Sequence, residues 1–220
     1  MRLIDLTLTL STGMRGVQFE PQRNVREHGW NAQTLHLYSH CGTHMDAQVH
    51  FAAGAETIDV VPLERCMGPA WLVRLDGTAP RTLMTVAHLG CVARQLLPGD
   101  SLILRTGWSR YLGQTEWREA LPRVSRELAQ WCVEHKVRML GVEPPSVADV
   151  NDRAELTQIH QVLLGGDVLI VEGLTNLDAL QQEHFFFAAL PLKPLGGDGS
   201  PVRAFAIEGI PPDGWLTGVL

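Results

Sequence analysis

Several features are missing from this 220-residue chain, and each absence removes a class of function. There is no cluster of lysine and arginine: the 18 basic residues are scattered and the formal charge is −6 at pH 7. Neither nucleic acid nor an anionic membrane surface is expected as a partner. No window approaches the roughly 20 apolar residues of a membrane span. A secretory signal begins basic and continues apolar, whereas Asp5, Thr7 and Thr9 interrupt the first ten residues here. Cys41, Cys66, Cys91 and Cys132 are widely spaced and form no C-x-x-C pair, so they are expected as reduced thiols in a cytoplasmic protein. Aromatic residues make up only 6% of the chain, while 45% is hydrophobic, a composition that fits an ordinary globular domain. Repeats, linkers and low-complexity segments are absent. What remains is one domain over residues 1–220, long enough to bury a sizeable core, with a small molecule as its partner.

Against this background one window is dense in chemistry. Ser39 to Phe51 reads S-H-C-G-T-H-M-D-A-Q-V-H-F and places His40, His44, Asp46 and His50 within eleven positions. All four are even-numbered, so an extended backbone points them to one face. The odd positions Cys41, Met45, Ala47, Val49 and Phe51 suit a buried opposite face, with Cys41 turned away from the histidines. The alternation begins earlier, with Leu35 and Leu37 set against Thr34, His36 and Tyr38. A helix would also bring His40 and His44 together, but Gly42 between them weakens that reading. The expectation is a strand ending in a turn. A single histidine here would be read as a polar residue on a solvated face. Four aligned groups point instead to a metal: imidazoles with a carboxylate bind zinc, and also suit manganese or iron. Three protein ligands leave a position open for water, as catalytic sites do.

The rest of the chain reads as mixed α/β. Strands are expected at residues 2–10, 70–75, 101–105, 137–142, 168–171, 184–190 and 204–208. Helical spacing runs over 82–97, 122–135 and, as a short helix, 155–164. Residues 11–31 look irregular and carry Phe19, Arg23, Arg26, His28 and Trp30, as a functional lid does. Phe19 and Trp30 are candidates for contact with substrate. Gly196–Arg203 lacks the G-x-x-x-x-G-K-[ST] pattern of a phosphate loop and reads as a hairpin-like turn, with Asp198 the residue of interest. Taken alone, His160 is a half-buried helix residue and Glu172 a solvated strand end. The expected fold is a single α/β domain with a curved mixed sheet flanked by helices.

The window from His40 to His50 resembles the H-x-G-T-H-x-D-x-P-x-H signature of the cyclase-like metal-dependent hydrolases, which include bacterial kynurenine formamidase and isatin hydrolase. Further similarity lies in R-T-G-W at Arg105–Trp108, in Glu143-Pro144-Pro145-Ser146, in H-Q-V-L-L with V-L-I-V-E-G-L-x-N-L from His160, and in D-G-S-P-V-R at Asp198–Arg203. The resemblance spans nearly the whole chain and is weakest over 14–35. It implies a three-layer β/β/α fold and a homodimer or homotetramer. It also implies that His40, His44 and Asp46 hold one metal, that Asp46 bridges to a second held by His160 and Glu172, and that His50 is the general acid/base. His50 as a further ligand, or as a support for one, is the other reading of that residue. Two departures stand out: Gln48 replaces the usual proline, and the Trp-Pro-Gly segment of the formamidases is missing. Three functions follow from the resemblance: an arylformamidase acting on N-formylkynurenine or a related aryl formamide; a hydrolase of a cyclic amide or lactone; and a non-hydrolytic metal-binding protein or biosynthetic cyclase.

Overall fold

The apolar runs of the sequence become the walls of one sheet. In the computed structural model, which describes residues 1–210, the strands are β1 Arg2–Asp5, β2 Val17–Arg23, β3 Ala32–Leu37, β4 His44–Asp46, β5 Met67–Arg74, β6 Leu83–Met84, β7 Ser101–Arg105, β8 Arg123–Val124, β9 Met139–Val142, β10 Leu169–Glu172, β11 His184–Pro191 and β12 Gly199–Glu208. The helices are α1 Val25–His28, α2 Val92–Gln95, α3 Glu116–Glu119, α4 Arg126–Glu134 and α5 Arg153–Gly165. Among the described residues, eight strands form one mixed sheet in the order β1-β12-β11-β5-β7-β9-β10-β4. Strand β12 also pairs with β4, so the sheet closes on itself like a barrel. Strands β5, β7, β9 and β10 run parallel. The others join antiparallel.

Side-chain alternation along these strands separates two cores. Met45, Leu72, Ile103, Met139, Val171, Phe185 and Phe187 fill the inside of the closed sheet. Leu102, Leu104, Leu140, Val142 and Ile170 point outward and pack under α4 and α5 through Leu128, Cys132, Ile159 and Leu163. The result is the expected single α/β domain, a mixed sheet with helices laid on one face. Residues 211–220 of the expected 1–220 domain lie outside the described residues. No helix among the described residues is long and apolar enough to cross a membrane.

The structure corrects several boundaries for identifiable reasons. The 82–97 segment is not one helix. It breaks into β6, a 3-10 turn at Val86–Leu89 and α2, because Gly90 at φ 55° leaves the helical region. Helix α4 starts at Arg126 rather than 122, where the Ser125 hydroxyl accepts the Leu128 N–H at 3.0 Å and caps it. Helix α5 is the longest rather than a short one, capped by Asp152, which accepts from the N–H groups of Ala154 and Glu155. Strand β1 ends at Asp5, and the segment after it continues extended, with Leu6 and Leu8 buried. The irregular 11–31 region contains β2 and α1. Strands β2 and β3 form a hairpin separate from the main sheet, and Val17 is its only buried strand residue. Leu35 and Leu37 alternate with polar residues along β3, but the hairpin leaves both faces largely exposed, so its alternation marks no buried face.

Candidate metal centre

The outer face of the sheet carries a polar patch at the seam of β4 and β10, beneath α5. Antiparallel pairing sets His44 directly opposite Glu172, and Asp46 opposite Ile170. Period-two alternation sends His44 and Asp46 outward while Met45 enters the inner core. Thr43 fixes the start of β4: its hydroxyl accepts the Leu8 N–H at 2.8 Å and donates to the Gly173 carbonyl at 2.6 Å. Helix α5 then lowers His160 onto the pair. Its Nε2 lies 3.6 Å from Asp46 Oδ2 and 3.4 Å from Glu172 Oε1. His44 Nε2 lies 3.2 Å from Glu172 Oε2 and 3.6 Å from Asp46 Oδ1. All four residues are buried.

Several observations fit this cluster to a divalent metal. First, the Nδ1–H of His44 donates to the Gly42 carbonyl at 3.1 Å and that of His160 to the Leu156 carbonyl at 2.7 Å. A carbonyl only accepts, so the proton sits on Nδ1 and Nε2 faces the carboxylates, the outer-contact arrangement that orients metal-binding histidines. Second, Asp46 Oδ2 is buried without a hydrogen-bond partner, a costly state for a carboxylate oxygen unless a cation meets it. Third, the 3.2–3.6 Å separations match donors that share one small ion: atoms about 2.0–2.2 Å from a tetrahedral centre stand roughly 3.3–3.6 Å apart. Donor atoms of His44, Asp46 and Glu172 all lie within 4.8 Å of one another, as do those of His40, Asp46 and His50, with Asp46 common to both sets. The Val147 N–H donates to Glu172 Oε1 at 2.8 Å and fixes that carboxylate.

His40 and His50 reach the site by a different route from the one parity predicts. Only residues 44–46 are strand; His40 lies in a turn and His50 in a 3-10 helix, Gln48–Phe51. Gly42 at φ 60° reverses the chain between His40 and His44. His40 Nδ1 lies 2.8 Å from Asp46 Oδ1 and its Nε2 3.0 Å from Asp198 Oδ2. The His50 ring stacks on His40 with centroids 3.8 Å apart, and its Nδ1 lies 3.4 Å from the same Asp198 oxygen. Asp198 therefore belongs to the cluster. Cys41 lies buried in the same turn and borders the cleft described below.

The electrostatics follow from burial and pairing. Burial acts to lower the basicity of His40, but the carboxylates of Asp46 and Asp198 outweigh it and raise its pKa to about 9. For His44 and His160 burial again opposes charge, and Glu172 with Asp46 pulls both above the ordinary value. Asp46 is desolvated, yet His40, His44 and His160 hold it below the ordinary carboxylate value. Glu172 is raised by burial and by Asp46, and its histidine contacts more than reverse this. His50 alone among these imidazoles is lowered, chiefly by burial.

Gly199 supplies the remaining piece of architecture. It pairs with Asp46 across β12 and β4, and a Cβ there would stand 2.7 Å from both His40 Cε1 and the Met45 carbonyl. Strand β12 thus starts at Gly199, where the sequence predicts a turn. Gly199→Ala is expected to push His40 from its seat and lower turnover by about 10²-fold, the scale of a 1 Å misplacement. Steady-state kinetics beside a melting curve check this, and unchanged kcat would contradict it.

The comparisons with known proteins concern the family and the fold. The family model described as "Putative cyclase" matches residues 4–149. The kynurenine formamidase of Salinibacter ruber is 30% identical over 212 residues, covering 93% of this chain and 96% of that one. The chain belongs to the cyclase family. Isatin hydrolase A from Ralstonia solanacearum superposes with a TM-score of 0.82 at 24% identity, covering 93% of this chain and 91% of that one. A structure from Bacillus stearothermophilus described as a predicted metal-dependent hydrolase superposes with a TM-score of 0.73 at 24% identity, covering 93% and 97%. Both share the cyclase fold. This cyclase-family chain is a hydrolase.

Beside the candidate metal centre of this cyclase-family enzyme opens a cleft of about 440 Å³. Segments around Leu8–Arg15 and Leu112–Arg118 form its walls, with His40 and His44 on its surface. Glu143 secures the second wall: its buried carboxylate accepts the N–H groups of Thr106, Gly107 and Trp108 and the Ser109 hydroxyl. That explains why the R-T-G-W and Glu143-Pro segments both carry a signal in sequence. Arg15, Trp117 and Arg118, which line the cleft, carry none. Phe19 and Trp30 lie on the exposed hairpin and are not part of the cleft lining; Trp30 is 58% exposed. Gln48 occupies the first position of the 3-10 helix, where proline is also tolerated. Its amide donates to Asp167 Oδ1 at 2.8 Å and accepts from the Glu56 N–H at 3.3 Å. These bonds tie down the turn that carries His50.

Proposed function

We propose that the chain hydrolyses a small aryl amide, N-formylkynurenine or a related aryl formamide, with zinc the first choice of metal and manganese or iron the others. The observation that carries this reading is the convergence of His40, His44, Asp46, His50, His160 and Glu172, from a turn, two strands and two helices, into one cluster of which His40 and His44 line the cleft. The formamidase relative spanning almost the whole chain supports the substrate class.

His40, His44 and Asp46 would hold one ion, as the family resemblance implies, and Asp46 would serve a second with His160 and Glu172; the contact of His44 with Glu172 at 3.2 Å sets His44 between the two groups. The chemistry such an ion supplies when bound is the acidification of water from a pKa of about 15.7 towards about 7 and the polarisation of a carbonyl oxygen. His50 takes the proton from the attacking water and returns it to the leaving nitrogen. Burial lowers its pKa, which favours the neutral form that accepts a proton. Asp198, 3.4 Å from His50 Nδ1, orients the ring so that Nε2 is left for the proton. The C–N bond breaks, water adds oxygen to the formyl carbon, and formate and the aryl amine leave.

The second reading is hydrolysis of a cyclic amide or lactone. The TM-score of 0.82 to an isatin hydrolase and the missing Trp-Pro-Gly segment favour it. Metal-loaded protein assayed on N-formylkynurenine, formanilide, isatin and a simple lactone decides between the two. The highest kcat/KM on a formamide is expected; turnover of isatin with none on any formamide would replace the first reading by the second.

The unpaired cysteines suit a reducing compartment and support a cytoplasmic location, which cell fractionation tests. We also propose a homodimer or homotetramer. An isolated two-stranded hairpin is marginal in water, and the β2–β3 hairpin region exposes Val25, Trp30 and Leu35. Light scattering at micromolar concentration is expected to give twice or four times the 24.3 kDa chain mass, and a monomer would contradict this.

A further inference from the structure

The two walls of the cleft each contribute one guanidinium, Arg15 from the first and Arg118 from the second. Arg118 is half-buried. Burial first, and then the like charge of the exposed Arg15, hold it below the usual arginine range against the opposing pull of Glu119 and Glu172. An arginine so placed still stays charged at neutral pH. Three other partly buried arginines have carboxylate partners, Arg65 with Glu56 at 2.7 Å, Arg105 with Asp76 at 2.8 Å and Arg123 with Glu155 at 2.8 Å, and a fourth, Arg138, donates to the carbonyls of Gly99, Glu64 and Met67. Among the described residues, no carboxylate stands within 4.0 Å of the guanidinium of Arg15 or Arg118. Arg15 Cζ sits 5.8 Å from the centre of the Tyr38 ring, and that ring is 5.4 Å from His40. The charges thus lie close to the metal centre. Met14, Leu112 and Trp117 in the same lining offer apolar surface to an aromatic ring.

Two cations line one cleft with no carboxylate in contact with either guanidinium, and an anion placed between them relieves their mutual repulsion. The planar guanidinium fork matches a carboxylate bidentately, the strongest form of such a contact. We infer that Arg15 and Arg118 seat a carboxylate of the substrate, so that the cleft selects a carboxylate-bearing aryl amide over a neutral one; this rests on the amide-hydrolase reading of the same site. A neutral compound such as isatin leaves the two charges unrelieved. The class of substrate this defines has a scissile carbonyl at the metal end, an aromatic spacer and a negative group at the arginine end.

The test compares N-formylkynurenine with its carboxamide, which differs only in replacing the carboxylate by a neutral group of nearly the same size. Wild-type enzyme is expected to favour the acid in kcat/KM by about tenfold or more. Arg118→Gln and Arg15→Gln are each expected to collapse the acid-to-carboxamide ratio towards one, and Arg118→Lys to restore part of it. Because the ratio is taken within one protein preparation, partial misfolding does not move it. Equal kcat/KM for the two compounds in the wild type, or a ratio unchanged by both glutamine variants, would overturn the inference. A second measurement needs no turnover: calorimetric Kd values of kynurenine and kynurenine carboxamide on metal-loaded protein. If no formamide is hydrolysed, the function reading fails while this comparison still reports on the arginines. Tighter binding of kynurenine, lost in Arg118→Gln, supports the inference, and equal Kd values overturn it.

Discussion

Asp46→Asn is expected to lose metal from both positions and to lower turnover by more than about 100-fold. Asp46 is fully buried, and its two oxygens face different partners: Oδ1 stands 2.8 Å from His40 and 3.6 Å from His44, while Oδ2 stands 3.6 Å from His160. Asparagine keeps the volume and one oxygen but removes the charge that both ligand groups share. Removing a residue that merely supports a ligand costs about 10–100-fold in metal affinity or activity, so removing the shared carboxylate exceeds that. Elemental analysis of the variant, with kinetics on the same sample, checks both halves of the expectation. Full metal content would show that Asp46 is no bridge.

His50→Ala is expected to keep its metal and lose about 10²–10⁴-fold in turnover, the usual contribution of a positioned acid/base group. The geometry separates it from the other imidazoles. His44 and His160 are locked by backbone carbonyls and directed at the carboxylate pair. His50 instead stacks on His40, touches Asp198 and remains partly accessible. Burial lowers its pKa where pairing raises the others. Loss of metal in His50→Ala would make it a ligand instead, and full activity would leave it no catalytic part.

The residues of the site were legible in sequence more fully than the geometry that joins them. Parity correctly pairs His44 with Asp46, because those two lie on a real strand. It also gathers His40 and His50, yet the backbone reverses at Gly42 and coils at Gln48–Phe51, so both arrive through turns. His160 and Glu172 carry no local signal beyond an apolar helix stripe and a strand end; only resemblance picks them out, and cross-strand pairing then explains their nearness. Strands buried on both faces, such as Ser101–Arg105 and Leu169–Glu172, announce themselves as apolar runs. The β2–β3 hairpin buries almost nothing and leaves no such trace. Arg15 and Arg118 stand 103 positions apart by their numbers, in segments without periodicity, and only the folded chain brings them to one cleft.

The central claim is a metal centre that hydrolyses an aryl formamide. The most direct measurement is metal content per chain on gently purified protein by elemental mass spectrometry, paired with N-formylkynurenine hydrolysis on the same sample. Two metal ions per chain with rapid turnover is the predicted result. Metal without turnover of this substrate would retain the centre and move the chemistry to cyclic amides. No bound metal, even after reconstitution with zinc and with manganese, would contradict the account at its base.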